Sequence, residues 1–359
     1  MKIAIASFTR KGYQTAAKIS EGLSGVASYE IIGDYHSYPK TAEKKESLAE
    51  WVKRMFFLAD ALVYVGACGI AVRSIAPYVK DKFTDPGVLV VDEAGQFCIS
   101  LLSGHVGGAN RFCHETAKMI GAIPVVTTAT DVNSLFAVDE FAARNQLFLS
   151  DRDTAKRISA ALLEGDIITL FDEENKFKTQ GDHGTDSTYS SLLSQGIQVV
   201  TDRSKLQGEL GIYLGIHEVE VFSQQLDLIP ANVVLGIGCK KETDQALIFE
   251  FADEILKKWN IHPKALKQGA SIDLKKEEMG LLAFFRERGI PFLTYTAEEL
   301  ARIEDVTTES EFVRSVTGIG NVCERAALSS SGHSSLIAGK QARNGITIAL
   351  AEEEWSIRI

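Results

Sequence analysis

At 359 residues, with 45% hydrophobic and 24% charged side chains, the chain has the balance of a globular protein too long for one ordinary core, so two or three domains are expected. Its net charge of −10 leaves no basic excess to displace counterions, which argues against a nucleic-acid partner. The start, Met1-Lys2-Ile3-Ala4-Ile5-Ala6-Ser7, is apolar too briefly for a signal peptide, and no apolar run reaches membrane-spanning length, so a cytoplasmic protein without membrane contact is expected.

In chain order, residues 2–7 are a β-rich run, and a helix is expected from near Tyr13, after Thr9-Arg10-Lys11-Gly12. Residues 29–33 predict a second short strand. Leu48, Trp51, Val52, Met55 and Phe56 recur at helical spacing and share one apolar face. Residues 61–65 read as a buried strand that ends in Gly66-Ala67-Cys68-Gly69 and enters another helix. This alternation predicts a mainly parallel sheet with helices on its faces. Residues 88–91 and 97–102 are two more strands around Asp92-Glu93-Ala94-Gly95-Gln96, most simply a hairpin at one side of the sheet. A glycine-rich turn, Ser103-Gly104-His105-Val106-Gly107-Gly108, then leads into a helix to about Ile120 and a strand at 124–128. The turn thus stands at a strand's carboxyl end, where open α/β sheets bind ligands.

Residues 139–229 are patterned more weakly. A helix at 154–163 and strands at 167–171, 197–201 and 219–222 are expected, with 172–191 as an exposed loop or linker. A second α/β region opens at Val233 to Cys239. Helices follow near 244–259 and 275–288, then a strand at 291–295, capping-box spacing at Thr296 and Glu299, and short strands at 336–338 and 346–350. The expected fold class is α/β. An N-terminal domain over 1–138 holds a mainly parallel sheet with a hairpin, and a smaller C-terminal α/β domain spans 230–359. A middle segment, 139–229, joins them.

Five scattered cysteines (Cys68, Cys98, Cys113, Cys239, Cys323) contain no C-x-x-C pair, which argues against a disulfide framework and a structural zinc site. Several long motifs point further. Gly69-Ile70-Ala71-Val72-Arg73-Ser74-Ile75-Ala76-Pro77, Lys80-Asp81-Lys82, Thr84-Asp85-Pro86, Val90-Val91-Asp92-Glu93-Ala94-Gly95, the run from Ser100 through His105 to Asn110, and Thr127-Thr128-Ala129-Thr130-Asp131-Val132-Asn133 occur in order. Together they resemble the amino-terminal domain of the cobalt-precorrin-5A hydrolase (CbiG) family. Leu235-Gly236-Ile237-Gly238-Cys239-Lys240-Lys241, Ser271-Ile272-Asp273-Leu274-Lys275 and Gly318-Ile319-Gly320-Asn321-Val322-Cys323-Glu324 resemble its terminal domain, which is also similar to the free-standing CobE protein.

The resemblance implies an enzyme of anaerobic cobalamin biosynthesis. Its reaction opens the δ-lactone of cobalt-precorrin-5A and releases the C20 carbon with its methyl group as acetaldehyde, giving cobalt-precorrin-5B. No protein-bound metal or other cofactor is implied, because the cobalt belongs to the substrate. Transient contacts with other enzymes of the pathway are a further expectation; the oligomeric state stays open. A carrier that shields a corrinoid without chemistry is the alternative. A nucleotide-dependent enzyme is disfavoured, since neither a P-loop lysine motif nor G-x-G-x-x-G is present.

Lactone opening needs an activated water and acetaldehyde release needs a base, so His105 is the first catalytic candidate, with helix capping or substrate contact as its alternatives. Asp92 and Glu93 end a strand and are candidates to position water or orient His105; a solvated turn is the plainer reading. Asp131 is read as a catalytic carboxylate, with helix capping by Asp131 or a neighbouring threonine as the alternative. Gly104, Gly107 and Gly108 precede a helix whose free amides are expected to hold a carboxylate or an oxyanion. Asn110, Thr127, Thr128 and Thr130 are expected to contact the macrocycle. Because a corrin intermediate carries acetate and propionate groups, Arg73 and Lys82 are expected to meet carboxylates, with Lys80, Arg10 and Lys11 as weaker candidates. In the second region Gly236, Gly238, Cys239 and Glu324 are expected at the substrate, though Cys239 also reads as a packing residue.

Overall fold

The computed structural model describes residues 1–38, 46–81, 84–105, 107–175, 177, 185–304 and 306–357; the expected substrate contact Lys82 lies outside the described residues. Two compact units are formed, Met1–Ala143 and Arg144–Ile359. Among the described residues no helix is long and apolar enough to cross a membrane.

In the first unit, strands β1 (Lys2–Ser7), β2 (Glu30–His36), β3 (Ala61–Val65), β4 (Gly87–Val91), β5 (Phe97–Leu102) and β6 (Ile123–Val125) form one sheet in the order β2-β1-β3-β4-β5-β6. The first four run parallel, β5 is antiparallel to β4, and β6 is parallel to β5. Both faces are covered, so the central strands are apolar at every position. Side chains alternate between two cores. Ile3, Ile5, Val63, Val65, Leu89 and Val91 pack with Ile19, Leu23 and Phe112 on one face. Ala4, Ala6, Leu62, Tyr64, Val88 and Val90 pack with Trp51, Met55 and Phe56 on the other. Helix Arg10–Ser24 starts earlier than expected because Thr9 caps it, its hydroxyl accepting the Gly12 amide at 3.0 Å. Arg10 and Lys11 are therefore exposed residues of its first turn.

Reversal at the hairpin divides the candidate residues between opposite edges of the sheet. Val91 pairs with Cys98 and Val88 with Leu102, so the turn after β5 returns to the end where β4 begins. There the Gly107 carbonyl oxygen sits 2.9 Å from where a Cβ on Gly87 would stand. Asp92 and Glu93 follow the other end of β4, roughly 15 Å away at the strand's rise per residue. The expectation that they orient His105 is therefore corrected.

The second unit holds two sheets. Strands β7 (Leu147–Leu149), β8 (Ile168–Asp172), β9 (Ile197–Val200), β10 (Leu210–Leu214) and β11 (Gln224–Pro230) are ordered β7-β11-β10-β8-β9, parallel except for β7. The strands expected at 167–171 and 197–201 form as β8 and β9, and β7, β10 and β11 complete a sheet that the weak patterning did not show. The strand expected at 219–222 does not form. Instead, the Gln225 side chain takes the amides of Val221 (2.8 Å) and Phe222 (3.2 Å) and donates to the Val219 carbonyl (2.6 Å), satisfying backbone groups a neighbouring strand would need. Part of the expected loop at 172–191 belongs to helix Thr185–Ser194; residues 176 and 178–184 of it lie outside the described residues.

Strands β12 (Val233–Cys239), β13 (Leu266–Ile272), β14 (Phe292–Tyr295), β15 (Leu336–Arg343) and β16 (Ile346–Glu352) form the last sheet in the order β14-β13-β12-β16-β15. Asp244 caps helix Gln245–Lys258, and Thr296 with Glu299 forms the expected capping box. The helix expected from Lys275 begins at Met279, after a short 3-10 turn at Asp273–Lys275.

Candidate functional site

The turn after β5 closes tightly. Ser103 has φ 54° and Gly108 φ 71°, left-handed conformations that bend the chain onto helix Ala109–Ile120. Gly104 and Gly107 are required by space: a Cβ on the first would lie 2.5 Å from the Asn110 amide oxygen, and one on the second 2.4 Å from Ser103 Cβ. Turn carbonyls take up the helix's leading amides. Gly108 N–H donates to His105 O (2.8 Å), Ala109 N–H to Ser103 O (3.2 Å) and Asn110 N–H to Gly104 O (2.9 Å). Of the amides expected to cradle an oxyanion, that of Gly108 is therefore already used in holding the turn, as are those of Ala109 and Asn110 at the helix start.

What the turn presents is a side-chain cluster. His105 Nε2 lies 2.8 Å from Asp131 Oδ2 and 2.9 Å from the Thr130 hydroxyl. Its Nδ1 faces Asp139 Oδ1 at 3.4 Å. Asn110, 3% exposed, is the hub: Nδ2 donates to Thr128 Oγ1 (2.7 Å) and to Asp131 Oδ2 (2.9 Å), and its Oδ1 accepts from the Ser100 hydroxyl (2.7 Å). Helix Ala129–Val132 carries Thr130 and Asp131, and helix Val138–Arg144 carries Asp139. Side-chain exposure is 28% at Asp131, 16% at His105 and 12% at Asp139.

Two carboxylates flank one imidazole, and its pKa responds. The hydrogen bond to Asp139 raises it, burial opposes this, and Asp131 adds to the rise, so that the ring is pushed up to about 9. At pH 7 the ring is then an imidazolium, with about one molecule in a hundred carrying the free lone pair that a base needs. Of the two caps the alternative reading left open, Asp131 or a neighbouring threonine, Thr128 occupies the position, without a side-chain cap hydrogen bond.

The structure brings His105, Asn110, Thr128, Thr130 and Asp131 together and adds Ser100 and Asp139. Asp139 was missed because one acid in a helix's first turn is an ordinary partner of the helix dipole and carries no signal of its own. Thr127 stands exposed beyond β6. Asp92 is used locally: its carboxylate accepts the amides of Ala94 (3.0 Å), Gln96 (2.7 Å) and Phe97 (2.6 Å) and closes the hairpin turn. Glu93 accepts from the Thr9 hydroxyl at 2.7 Å. Exposed Arg73 folds its guanidinium back onto the Gly69 carbonyl (3.3 Å). A further Ser–His–Asp chain links β1 and β2, with Ser7 Oγ 2.7 Å from His36 Nδ1 and His36 Nε2 3.2 Å from Asp34. Ser7 is fully enclosed, so this chain ties strands together and offers no accessible nucleophile.

The second unit contains a cavity of about 1310 Å³ at the carboxyl end of β12. Gly238, Cys239, Lys240 and Lys241 from the β12 turn line it together with Leu274, Lys275, Met279, Phe312, Val316 and Lys340. Met279 and Phe312 are 75% and 76% exposed, so the walls present open apolar surface beside four lysines and four acids, Glu242, Asp244, Glu277 and Glu278; Lys275 pairs with Glu278 at 3.1 Å and Lys241 with Glu242 at 3.9 Å. Such a space suits a ligand larger than most drug-sized molecules, with apolar faces and a charged margin whose carboxylates can meet Lys240 and Lys340. Burial raises the Cys239 thiol's pKa, which keeps it protonated and a poor nucleophile.

Two expectations for this region are corrected. Gly236 is buried, and a Cβ there would lie 1.9 Å from the Cys323 carbonyl oxygen; its role is the close approach of helix Cys323–Ser330 to β12. Glu324 is 0% exposed. Its carboxylate accepts the Thr307 amide (2.6 Å), the Thr307 hydroxyl and the Lys340 amide (2.6 Å), so it fastens two segments together instead of meeting a ligand.

Comparison with known proteins agrees with the motifs. The family model for cobalamin synthesis G, N-terminal, matches residues 50–131, and that for the cobalamin synthesis G C-terminus matches residues 233–351. The chain is 37% identical over 307 residues to the cobalt-precorrin-5A hydrolase of Salmonella typhimurium, covering 84% of each chain. Against the cobalt-precorrin-5A hydrolase of Priestia megaterium it is 32% identical over 307 residues, 83% of this chain and 79% of the relative. Protein CobE of a Sinorhizobium species is 33% identical over 131 residues, 36% of this chain and 85% of that protein.

Proposed function

The chain belongs to the cobalamin synthesis G family, and from that premise we propose that it is a cobalt-precorrin-5A hydrolase. In this reading it opens the δ-lactone of a cobalt-corrinoid with water and releases the two-carbon fragment as acetaldehyde. The observation that carries the reading is the His105 cluster: an imidazole between two carboxylates, reached by solvent. Hydrolysis followed by carbon–carbon cleavage needs groups that exchange protons with substrate and water, and this cluster supplies them without a resident metal. Cobalt enters with the substrate.

The cavity of the second unit supports the substrate class. A corrinoid has two broad apolar faces and a margin of carboxylates, which match the walls around Phe312 and Met279 and the lysines Lys240, Lys241 and Lys340. Binding and turnover are separable by experiment. Incubation with cobalt-precorrin-5A should yield acetaldehyde in proportion to lactone consumed, measured by a coupled reductase. Tight corrinoid binding with no acetaldehyde would replace the hydrolase reading with that of a carrier.

A further inference from the structure

Both ring nitrogens of His105 face carboxylates, so the open acceptor of the cluster has to be sought elsewhere. Asp131 Oδ2 is held by His105 Nε2 at 2.8 Å and by Asn110 Nδ2 at 2.9 Å. Among the described residues its Oδ1 has no partner, and this carboxylate is the more exposed of the two that flank the ring, 28% against 12% at Asp139. Asp139 lies behind the ring, 3.4 Å from Nδ1 and 12% exposed.

We propose that Asp131 is the proton acceptor of the hydrolysis, and that His105, gripped from behind by Asp139, is the positioning residue that holds Asp131 with Oδ1 turned outward. The proposal rests on the hydrolase reading and assigns roles within it. Asp139 lies beyond the family-matched residues 50–131.

The step balances without a further reactant. Water forms a bond from its oxygen to the lactone carbonyl carbon while its proton passes to Asp131 Oδ1. The bond from that carbon to the ring oxygen then breaks, its electron pair staying on the ring oxygen. That oxygen recovers the proton from Asp131. A carboxylic acid and a free hydroxyl result, and Asp131 is again a carboxylate. His105 keeps its proton throughout, as does an orienting group in a triad whose charge is matched by its neighbours.

Charged groups reach the ring from two elements, Asp131 on helix Ala129–Val132 and Asp139 on helix Val138–Arg144; Thr130 and Asn110 are neutral. The two possible roles of His105 predict opposite pH dependence. As a cationic positioning residue with its pKa raised to about 9, it supports turnover at neutral pH, and the rate falls as pH rises through about 9. As a base it would give a rate that climbs through the same region.

The experiment measures rate against pH and follows the His105 imidazole by NMR in the full chain, for wild type, Asp131→Asn, Asp139→Asn and His105→Gln. Asp131→Asn should lose about 100-fold or more in turnover at every pH with substrate affinity retained. Asp139→Asn should move the descending limb and the imidazole titration downward by a unit or more. Should that variant not fold, His105→Gln still decides: it should abolish the descending limb and remain more active than Asp131→Asn. A wild-type rate that rises through pH 9, or an Asp131→Asn variant within ten-fold of wild type, overturns the assignment. An imidazole that titrates near 6.5 and does not respond to Asp139→Asn overturns the grip, and this readout needs no turnover. Absence of acetaldehyde from wild type at any pH refutes the hydrolase reading itself.

Discussion

Replacing Glu324 by alanine separates a framework carboxylate from a ligand contact. The side chain is fully enclosed and accepts hydrogen bonds from the amides of Thr307 and Lys340 and from the Thr307 hydroxyl. Hydrogen bonds to a charged group contribute about 1.5–3 kcal/mol each, and an enclosed donor left without a partner costs about 1–3 kcal/mol. Alanine orphans two backbone donors and loosens Thr307 from the start of the Lys340 segment. Removal of the carboxylate's own burial cost offsets part of the loss, so about 3–5 kcal/mol of destabilisation is expected. For a unit of this size each kcal/mol lowers Tm by about 2–4 °C, which gives a fall of roughly 10 °C. Glu324→Gln should fall between wild type and alanine, because it keeps one acceptor oxygen but turns an NH₂ group toward an amide donor. Thermal unfolding by circular dichroism measures this, with corrinoid affinity determined below the transition. An unchanged Tm together with lost affinity would refute the reasoning and return Glu324 to the ligand.

Gly236→Ala should prevent the second unit from folding stably, because the new Cβ falls 1.9 Å from a backbone carbonyl that cannot yield; a soluble variant with wild-type unfolding behaviour would contradict the close approach of helix and strand. Lys241→Glu combined with Lys340→Glu should weaken corrinoid binding about ten-fold or more at low salt and less at high salt, as titration calorimetry at two ionic strengths would record. Stability of the first unit should also depend on pH through His105. Its folded pKa, about 9 against an ordinary 6.5, favours the folded state fully below about pH 6.5, and this contribution is lost as pH rises through about 9. On the order of 2 kcal/mol is expected, less in Asp139→Asn, and denaturant unfolding at pH 6 and 9.5 tests it.

Much of the first unit is legible in residue alternation alone. Ile3 and Ile5 against Ala4 and Ala6, or Val63 against Leu62 and Tyr64, already name the two faces that the helices cover. Strand β13 was hidden because Lys267, Gln268 and Gly269 interrupt its apolar pattern. Gly269 is there to admit the Phe285 ring, which would come within 1.9 Å of a Cβ, and that is a fact of packing between distant segments. The cluster around His105 was legible as far as the motif residues reach, to Asp131. Its edge of the sheet was not, since strand direction after a hairpin is decided by pairing, and a local pattern of glycines looks alike at either end. Cavity residues Gly238, Cys239, Lys240, Lys241 and Lys275 lie within motifs visible in the sequence, whereas Lys340 reaches the same space from β15 and carries no motif at all.

Phe171, Tyr213, Ile216, Phe222 and Ile229 share one continuous apolar cluster with Val233, Ile248, Phe251 and Phe284. Neither sheet of the second unit is therefore a freestanding module, and the middle segment read at 139–229 contributes to a common interior. Cutting the chain near residue 230 would strip solvent protection from both fragments at once and leave each prone to aggregate. Any relative that retains only the equivalent of residues 233–351 has to dress the bared wall with polar side chains or shelter it against another molecule. Heat should likewise melt both sheets in a single cooperative event, so their stabilities are inherited, and lost, together.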